Sequence, residues 1–195
     1  MSEDRDILVD VHTHNPRPEV LSPTMAGIHP WDADKGIDPM DLSSADIIGE
    51  TGLDYACGVN REAQLRLFEW HLSEAERLEK PVVIHCVKAF EDVMNILSKH
   101  SLRGVVLHGF IGSKEQAKRA TNRGYYLSFG RRSLRSPRSC EAIRETSIEL
   151  LFCETDDDIT LDIRQIYSEV AKHKGLTFDE LAKQIETNYK RLFRP

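Results

Sequence analysis

Residues 81–85 read P-V-V-I-H and residues 104–108 read G-V-V-L-H. Each is a short apolar run rich in β-branched residues that stops at a histidine. That is the signature of a strand buried on both faces, with a polar side chain at its C-terminal end. The construction recurs along the chain. Ile7 to Val11 runs into His12 and His14, A-D-I-I-G-E ends at Glu50, and E-L-L-F-C-E-T-D ends at Asp156. Parallel strands carry their C-terminal ends to one face, so the side chains of His12, His14, Glu50, His85, His108 and Asp156 are expected to converge. Four imidazoles with two carboxylates suit metal-ion hydrolysis.

Around these endings, strand and helix patterns alternate. Apolar runs at 7–11, 24–28, 45–49, 81–86, 103–108, 125–129 and 149–153 predict buried strands. Arg61 to Lys80 places Leu65, Phe68, Leu72, Ala75 and Leu78 on one helical face. Phe90, Val93, Met94 and Leu97 give the next face, and Lys114 to Asn122 a weaker one closed by Gly124. Two helices end the chain at 161–174 and 178–192, the first stopped by Gly175, the second opened by a Thr177/Glu180 capping box. Alternation of this kind means an α/β fold. An open doubly wound sheet draws its site from few strands, whereas a closed barrel draws on several. Ligands from five strands favour the barrel. With seven strand candidates and 195 residues, against the usual ~250, the expectation is an abbreviated TIM-barrel-like fold in a single domain, 1–195.

Composition narrows the function classes. A net charge of −6 argues against coating nucleic acid by bulk electrostatics, but leaves room for an enzyme whose bound cations reverse the local sign. Cys57, Cys86, Cys140 and Cys153 show no paired spacing and read as reduced thiols. No apolar run is long enough to cross a bilayer. Met1 to Asp6 is acidic and polar, unlike a signal peptide, and a cytoplasmic location is expected, with no membrane partner.

The chain resembles the TatD-related metal-dependent hydrolases. The motifs that carry the resemblance are D-V-H-T-H (10–14), G-I-H-P (27–30), G-E-T-G-L-D-Y (49–55), P-V-V-I-H-C (81–86), L-H-G-F-I-G-S (107–113), Y-Y-L-S-F (125–129) and C-E-T-D (153–156), with T-N-Y-K-R-L-F (187–193) near the end. They span nearly the whole chain in family order. The resemblance implies a TIM barrel of the amidohydrolase superfamily and a metal centre at the strand ends. It also implies hydrolysis of DNA or of other ester substrates. By motif, His12, His14, Glu50, His85, His108 and Asp156 take the ligand positions. Three features depart from the family. Only Asn15 to Ala26 separates H-x-H from G-I-H-P, too short for a full parallel crossover, so one barrel unit is expected to be missing after the first strand. Val87 and Lys88 stand where the family often has Arg-Asp. The segment after E-T-D is cut down to Asp157, Asp158, Ile159 and Thr160.

The residues suggest roles. His12 and His14 lie two apart on an extended chain and point the same way. Glu50 can offer one oxygen to each of two divalent ions (Zn, Mg or Mn) with an activated water between them, His85 and His108 completing the second ion's ligands. Asp156 is the candidate catalytic carboxylate, with Glu50 beside it in the chemistry. Glu154 either supports this group or contacts substrate. Asp54 either hydrogen-bonds a ligand imidazole or closes a turn. His29 is a candidate phosphate contact or a loop histidine ordered by Pro30. Arg131 and Arg132, in the loop after Y-Y-L-S-F, either clamp phosphate or are solvated surface. His71, His100 and His173 fall on helices and are assigned no role. The expected substrate is nucleic acid or a small phosphoester. A small amide, lactone or carboxyl ester is the alternative, and a non-catalytic metal-binding barrel the least favoured reading.

Overall fold

The computed structural model describes residues 7–36 and 40–193, so the reading of Met1–Asp6 lies outside the described residues. Two compact units make up the chain, one of Pro23–His108 and one of Met1–Ser22 with Gly109–Pro195.

In the unit Pro23–His108, four strands pair in parallel in sequence order: β1 (Met25–Ala26), β2 (Ile47–Asp54), β3 (Val82–Val87) and β4 (Val105–Leu107). Ile47, Ile48, Val82, Val83, Ile84, Val105 and Val106 are buried, which is why these runs carry no polar alternation. Helix α1 (Arg61–Arg77) packs on β2 and buries Leu67, Phe68, Leu72 and Ala75; α2 (Phe90–Leu97) packs on β3 through a face that includes Val93 and Leu97. Asn60 caps α1 by accepting from the Ala63 amide at 3.1 Å.

The second unit holds the parallel pair β5 (Tyr126–Phe129) and β6 (Leu151–Cys153) with helices α3 (Lys114–Thr121), α4 (Arg131–Leu134), α5 (Pro137–Glu145), α6 (Ile163–Lys174) and α7 (Phe178–Phe193). Both α6 and α7 pack on β6. Gly175 ends α6 at φ +68°, and Thr177 and Glu180 exchange the capping-box bonds that open α7. Tyr167 on α6 ties down the first segment of the chain: its hydroxyl accepts from Val9 N at 3.1 Å and donates to Val9 O at 2.9 Å.

Several expectations change. The run 7–11 is not a continuous strand. Val9 makes a single parallel bridge with Leu21, and Thr13, beyond the run, makes one with Asp156. The residues before Leu21 turn back on themselves, Val20 N donating to Arg17 O at 3.0 Å, so no extended partner continues the ladder. Six strands are therefore formed among the described residues rather than seven. The run 24–28 contributes only Met25–Ala26, and 149–153 opens with a 3₁₀ turn at Ile148–Leu150. Between His14 and Met25 no helix forms among the described residues, as the short spacing implied. Arg131 to Arg138 is not a loop but the turn of α4 and the start of α5. Its signal was present in Ser136-Pro137: Ser136 caps by accepting from Ser139 N at 3.3 Å, with proline in the first turn.

Asn188 explains part of T-N-Y-K-R-L-F. Fully buried on α7, it donates through Nδ2 to Ile148 O at 2.8 Å and Leu151 O at 2.9 Å, satisfying carbonyls at the entrance to β6. Asn188→Ala leaves those carbonyls buried without a donor and is expected to cost about 1–3 kcal/mol in urea unfolding; a loss below about 0.5 kcal/mol would show that the contact is not holding α7 to the strand.

Candidate metal centre

Among the described residues, each unit holds a group of candidate ligands. In the unit containing β5 and β6, H-T-H and C-E-T-D are joined through their backbones. His14 N donates to Asp156 O at 3.0 Å and Asp156 N to His12 O at 3.0 Å, while Val11 N donates to Cys153 O at 3.2 Å. Asp156 takes a left-handed backbone, φ +56°, a conformation that aspartate tolerates better than most residues. His12 Nε2 lies 3.5 Å and His14 Nε2 3.8 Å from Asp156 Oδ1. His12 is fully buried, whereas the His14 side chain is 53% exposed, so the set opens to solvent on one side.

Asp10 and Thr155, which the sequence did not single out, align this bridge. Thr155 donates to Asp10 through both its amide (3.1 Å) and its hydroxyl (2.6 Å), and the same hydroxyl lies 3.0 Å from Thr13 Oγ1. Burial pushes the Asp10 carboxyl up to about 7, against the lowering effect of the Thr155 bonds. Glu154 is buried against Gly109 and Gly130, where an added Cβ would come within 3.3 and 3.2 Å of its side chain.

In the unit Pro23–His108 the organising group is Glu50. It does not close its strand, as the sequence suggested; β2 runs on to Asp54, with the pairing register broken between Ile48 and Thr51. Gly49 and Gly52 flank the irregularity at φ +140° and +137°. A Cβ at Gly52 would lie 2.1 Å from His85 O, and one at Gly49 2.5 Å from Val83 O. G-E-T-G is therefore a bulge that only glycines allow so close to β3, and it turns out Glu50, the one residue of β2 that is not fully buried. Likewise His85 sits inside β3, not at its end. Glu50 Oε1 is 2.6 Å from His85 Nδ1, 2.6 Å from His108 Nε2 and 3.2 Å from His29 Nε2, and the first two nitrogens are 3.3 Å apart.

Hydrogen bonds behind these rings set their tautomers. Asp54 Oδ2 faces His85 Nε2 at 3.3 Å and accepts from the Trp31 indole at 2.7 Å. In the tautomer whose Nε2–H donates to Asp54, the Nδ1 lone pair is available for an ion beside Glu50 and His108. Burial works to raise the Asp54 carboxyl, but Trp31, the Ala56 amide and His85 outweigh it and hold it below the usual carboxylate range. Both alternatives for Asp54 are thus realised, since its Oδ1 also accepts the turn amides of Ala56 and Cys57. His29 is held oppositely. Its Nδ1 accepts Trp31 N at 3.2 Å, so a neutral ring carries its proton on Nε2 and is a donor toward Glu50 rather than a lone-pair ligand.

Arg131 and Arg132 meet the acidic segment that follows Asp156. Arg131 Nη1 donates to Asp158 Oδ2 at 2.6 Å, and Arg132 Nη2 lies 3.5 Å from Asp157 Oδ2 with both side chains largely exposed.

Residues 14–194 match the sequence model of the family described as TatD related DNase. The chain belongs to that family. Among its TatD-like relatives is the "Uncharacterized metal-dependent hydrolase YabD" of Bacillus subtilis (strain 168), 30% identical over 166 residues, a match covering 75% of this chain and 64% of that protein. The "Uncharacterized metal-dependent hydrolase YcfH" of Escherichia coli (strain K12) is 28% identical over 192 residues, covering 86% of this chain and 72% of that protein. The chain thus spans about two-thirds of the length of these relatives. The crystal structure of YJJV, a TatD homolog from Escherichia coli K12, superposes with a TM-score of 0.77 at 22% identity, over 97% of this chain and 86% of that one. The fold is that of TatD proteins, α/β and TIM-barrel-like with a reduced strand set. No helix among the described residues is long and apolar enough to cross a membrane.

The donor atoms fit the metal dependence that the TatD relatives' names carry. Around an ion with bonds of about 2.1 Å, tetrahedral ligand atoms stand about 3.4 Å apart, close to the separations of His12 and His14 from Asp156. Imidazole nitrogens turned on a carboxylate oxygen suit first-row dications.

His71, assigned no role from the sequence, supports the second set. Fully buried on α1, its Nε2 accepts from Ile28 N at 3.0 Å, while Nδ1 lies 3.0 Å from Leu67 O and 2.9 Å from Thr51 Oγ1. It thereby ties the residue before His29 to the residue after Glu50. Burial pulls its pKa from 6.5 down to about 4. Because the folded value is depressed, the stability it confers is complete above pH 6.5 and is lost as pH falls toward 4, by about 3 kcal/mol in all. NMR titration is expected to show one histidine neutral down to pH 5, absent from His71→Gln; a His71 resonance titrating near 6.5 would refute this packing.

Proposed function

We propose that this chain is a metal-dependent phosphodiesterase acting on DNA, with two divalent ions, one held by His12, His14 and Asp156 and one by Glu50, His85 and His108. The observation that carries the reading is that each unit presents its own set of imidazoles and a carboxylate, fixed by backbone pairing in one and by a glycine-flanked bulge in the other. The DNase description of the matched family supports the substrate class. Imidazole-rich ligation favours zinc, and manganese or magnesium fits the phosphate chemistry. We take residues 1–195 as one domain for this purpose.

Bound divalent ions supply Lewis-acid activation of water and neutralise phosphate charge. The protein's own groups do the rest. Asp156, on a backbone clamped between His12 and His14, takes the proton of the attacking water, and Glu50 positions His85 and His108 within its own unit. Asp54 keeps His85 in the ligating tautomer. His29, with its proton on Nε2, donates to a phosphate oxygen. Arg132, whose exposed ion pair is worth little, exchanges Asp157 for phosphate, and Arg131 assists through the same segment. Glu154, buried behind Asp156 in sequence, steadies the C-E-T-D turn.

End-labelled single-stranded oligonucleotide, incubated with EDTA and then with Mg²⁺, Mn²⁺ or Zn²⁺, is expected to be shortened only with added ion. Both His14→Ala and Asp156→Asn should lose at least about 100-fold in rate. Metal-loaded protein that cleaves no strand with any ion, or variants as active as the native chain, would overturn the assignment.

A further inference from the structure

Trp31 is 58% exposed, although indole is among the costliest side chains to leave in water and nothing in its sequence position demands it. It is nevertheless not loose. Its indole N–H is committed to Asp54 Oδ2 at 2.7 Å, and Asp54 is itself buried. Its backbone N–H is committed to His29 Nδ1 at 3.2 Å. It stands in a 3₁₀ turn, Pro30–Lys35, entered through proline and anchored by Ala33, which packs in a cluster with Ala63 and Leu67. The ring centroid is 4.6 Å from that of His29, edge-to-face, and 6.1 Å from that of His85. A large aromatic face is thus held rigidly, with its polar atom already satisfied, beside the imidazoles that surround Glu50.

On that geometry, and resting on the phosphodiesterase reading above, we propose that Trp31 is a stacking platform for the nucleobase next to the scissile phosphate. A stacked base needs a flat apolar face that is fixed in advance and carries no unmet donor. Trp31 supplies all three, and its distance from His29 and His85 places that face within one nucleotide of the phosphate-binding groups. Stacking is indifferent to base identity, so the site selects strands that carry bases over those that lack them, without reading sequence. Trp31 contacts substrate in this scheme, and its hydrogen bond to Asp54 couples the platform to His85.

Two variants separate the platform from that coupling. Trp31→Phe keeps an aromatic face and loses the donor to Asp54; Trp31→Gln keeps a donor and loses the face. Binding of a fluorescent single strand with phosphorothioate linkages is compared by anisotropy with the same strand built from abasic units, for folded protein with Mg²⁺. The native chain and Trp31→Phe should prefer the base-bearing strand by about 5- to 100-fold, and Trp31→Gln should bind both strands alike. Retained preference in Trp31→Gln, or none in the native chain, overturns the platform. If the native chain shows no preference yet still shortens oligonucleotides in the presence of metal, the platform falls and the nuclease reading stands. If the crossed pattern appears in protein that cleaves no strand, the platform stands and the nuclease reading falls.

Discussion

The backbone pairing of Thr13 with Asp156 is the constraint on which the first set of candidate ligands depends. A two-residue spacing such as His12 and His14 puts both rings on the same side of an extended chain, but that is useless if the segment can slip. A one-residue slip would turn both rings away. The bonds from His14 N to Asp156 O and from Asp156 N to His12 O fix the register at the candidate ligands themselves. The Asp10–Thr155 contacts fix it from behind. A segment that forms no continuous ladder is thereby held at the points where its candidate ligands stand.

The second set solves the same problem differently. Glu50 lies in mid-strand, where regular pairing would bury or misdirect it, and the two glycines let β2 bulge against β3 and turn the carboxylate out. The order then propagates through hydrogen bonds: Trp31 to Asp54, Asp54 to His85, and His71 between Ile28 and Thr51. Gln64 supports the chain of contacts, accepting Asp54 N at 2.7 Å and donating to Asp54 O at 3.0 Å. Tautomers are set by which neighbour takes which ring nitrogen, so His85 and His29, both against Glu50, play opposite parts.

Part of this was legible in the sequence because apolar runs lead directly into the candidate ligands, although Glu50 and His85 lie within β2 and β3 rather than at their ends. P-V-V-I-H and G-V-V-L-H are apolar through to the ligand, and α1, α2, α6 and α7 fall where their apolar faces and caps put them. What was not legible depends on contacts across the chain. The break in the first strand follows from the turn that precedes Leu21, which leaves residues 7–11 only one bridge on that side. The bulge at Glu50 requires knowing that Gly52 passes over His85. Trp31, Asp10 and Thr155 have no periodic signal, since each acts through a single partner brought near by the fold. His71 read as a helix histidine, and its burial between Ile28 and Thr51 of β2 shows only in three dimensions. For Ser136-Pro137, by contrast, the helix-start signal was present and outweighed by the arginines around it.

The most direct test of the account is the metal content of purified protein, measured by mass spectrometry after loading and exhaustive dialysis, for the native chain beside Asp156→Ala and His85→Ala. Two ions per native chain and one in each folded variant would match one ion per ligand set. Unchanged metal content in both variants would contradict the central claim that these residues hold the metal.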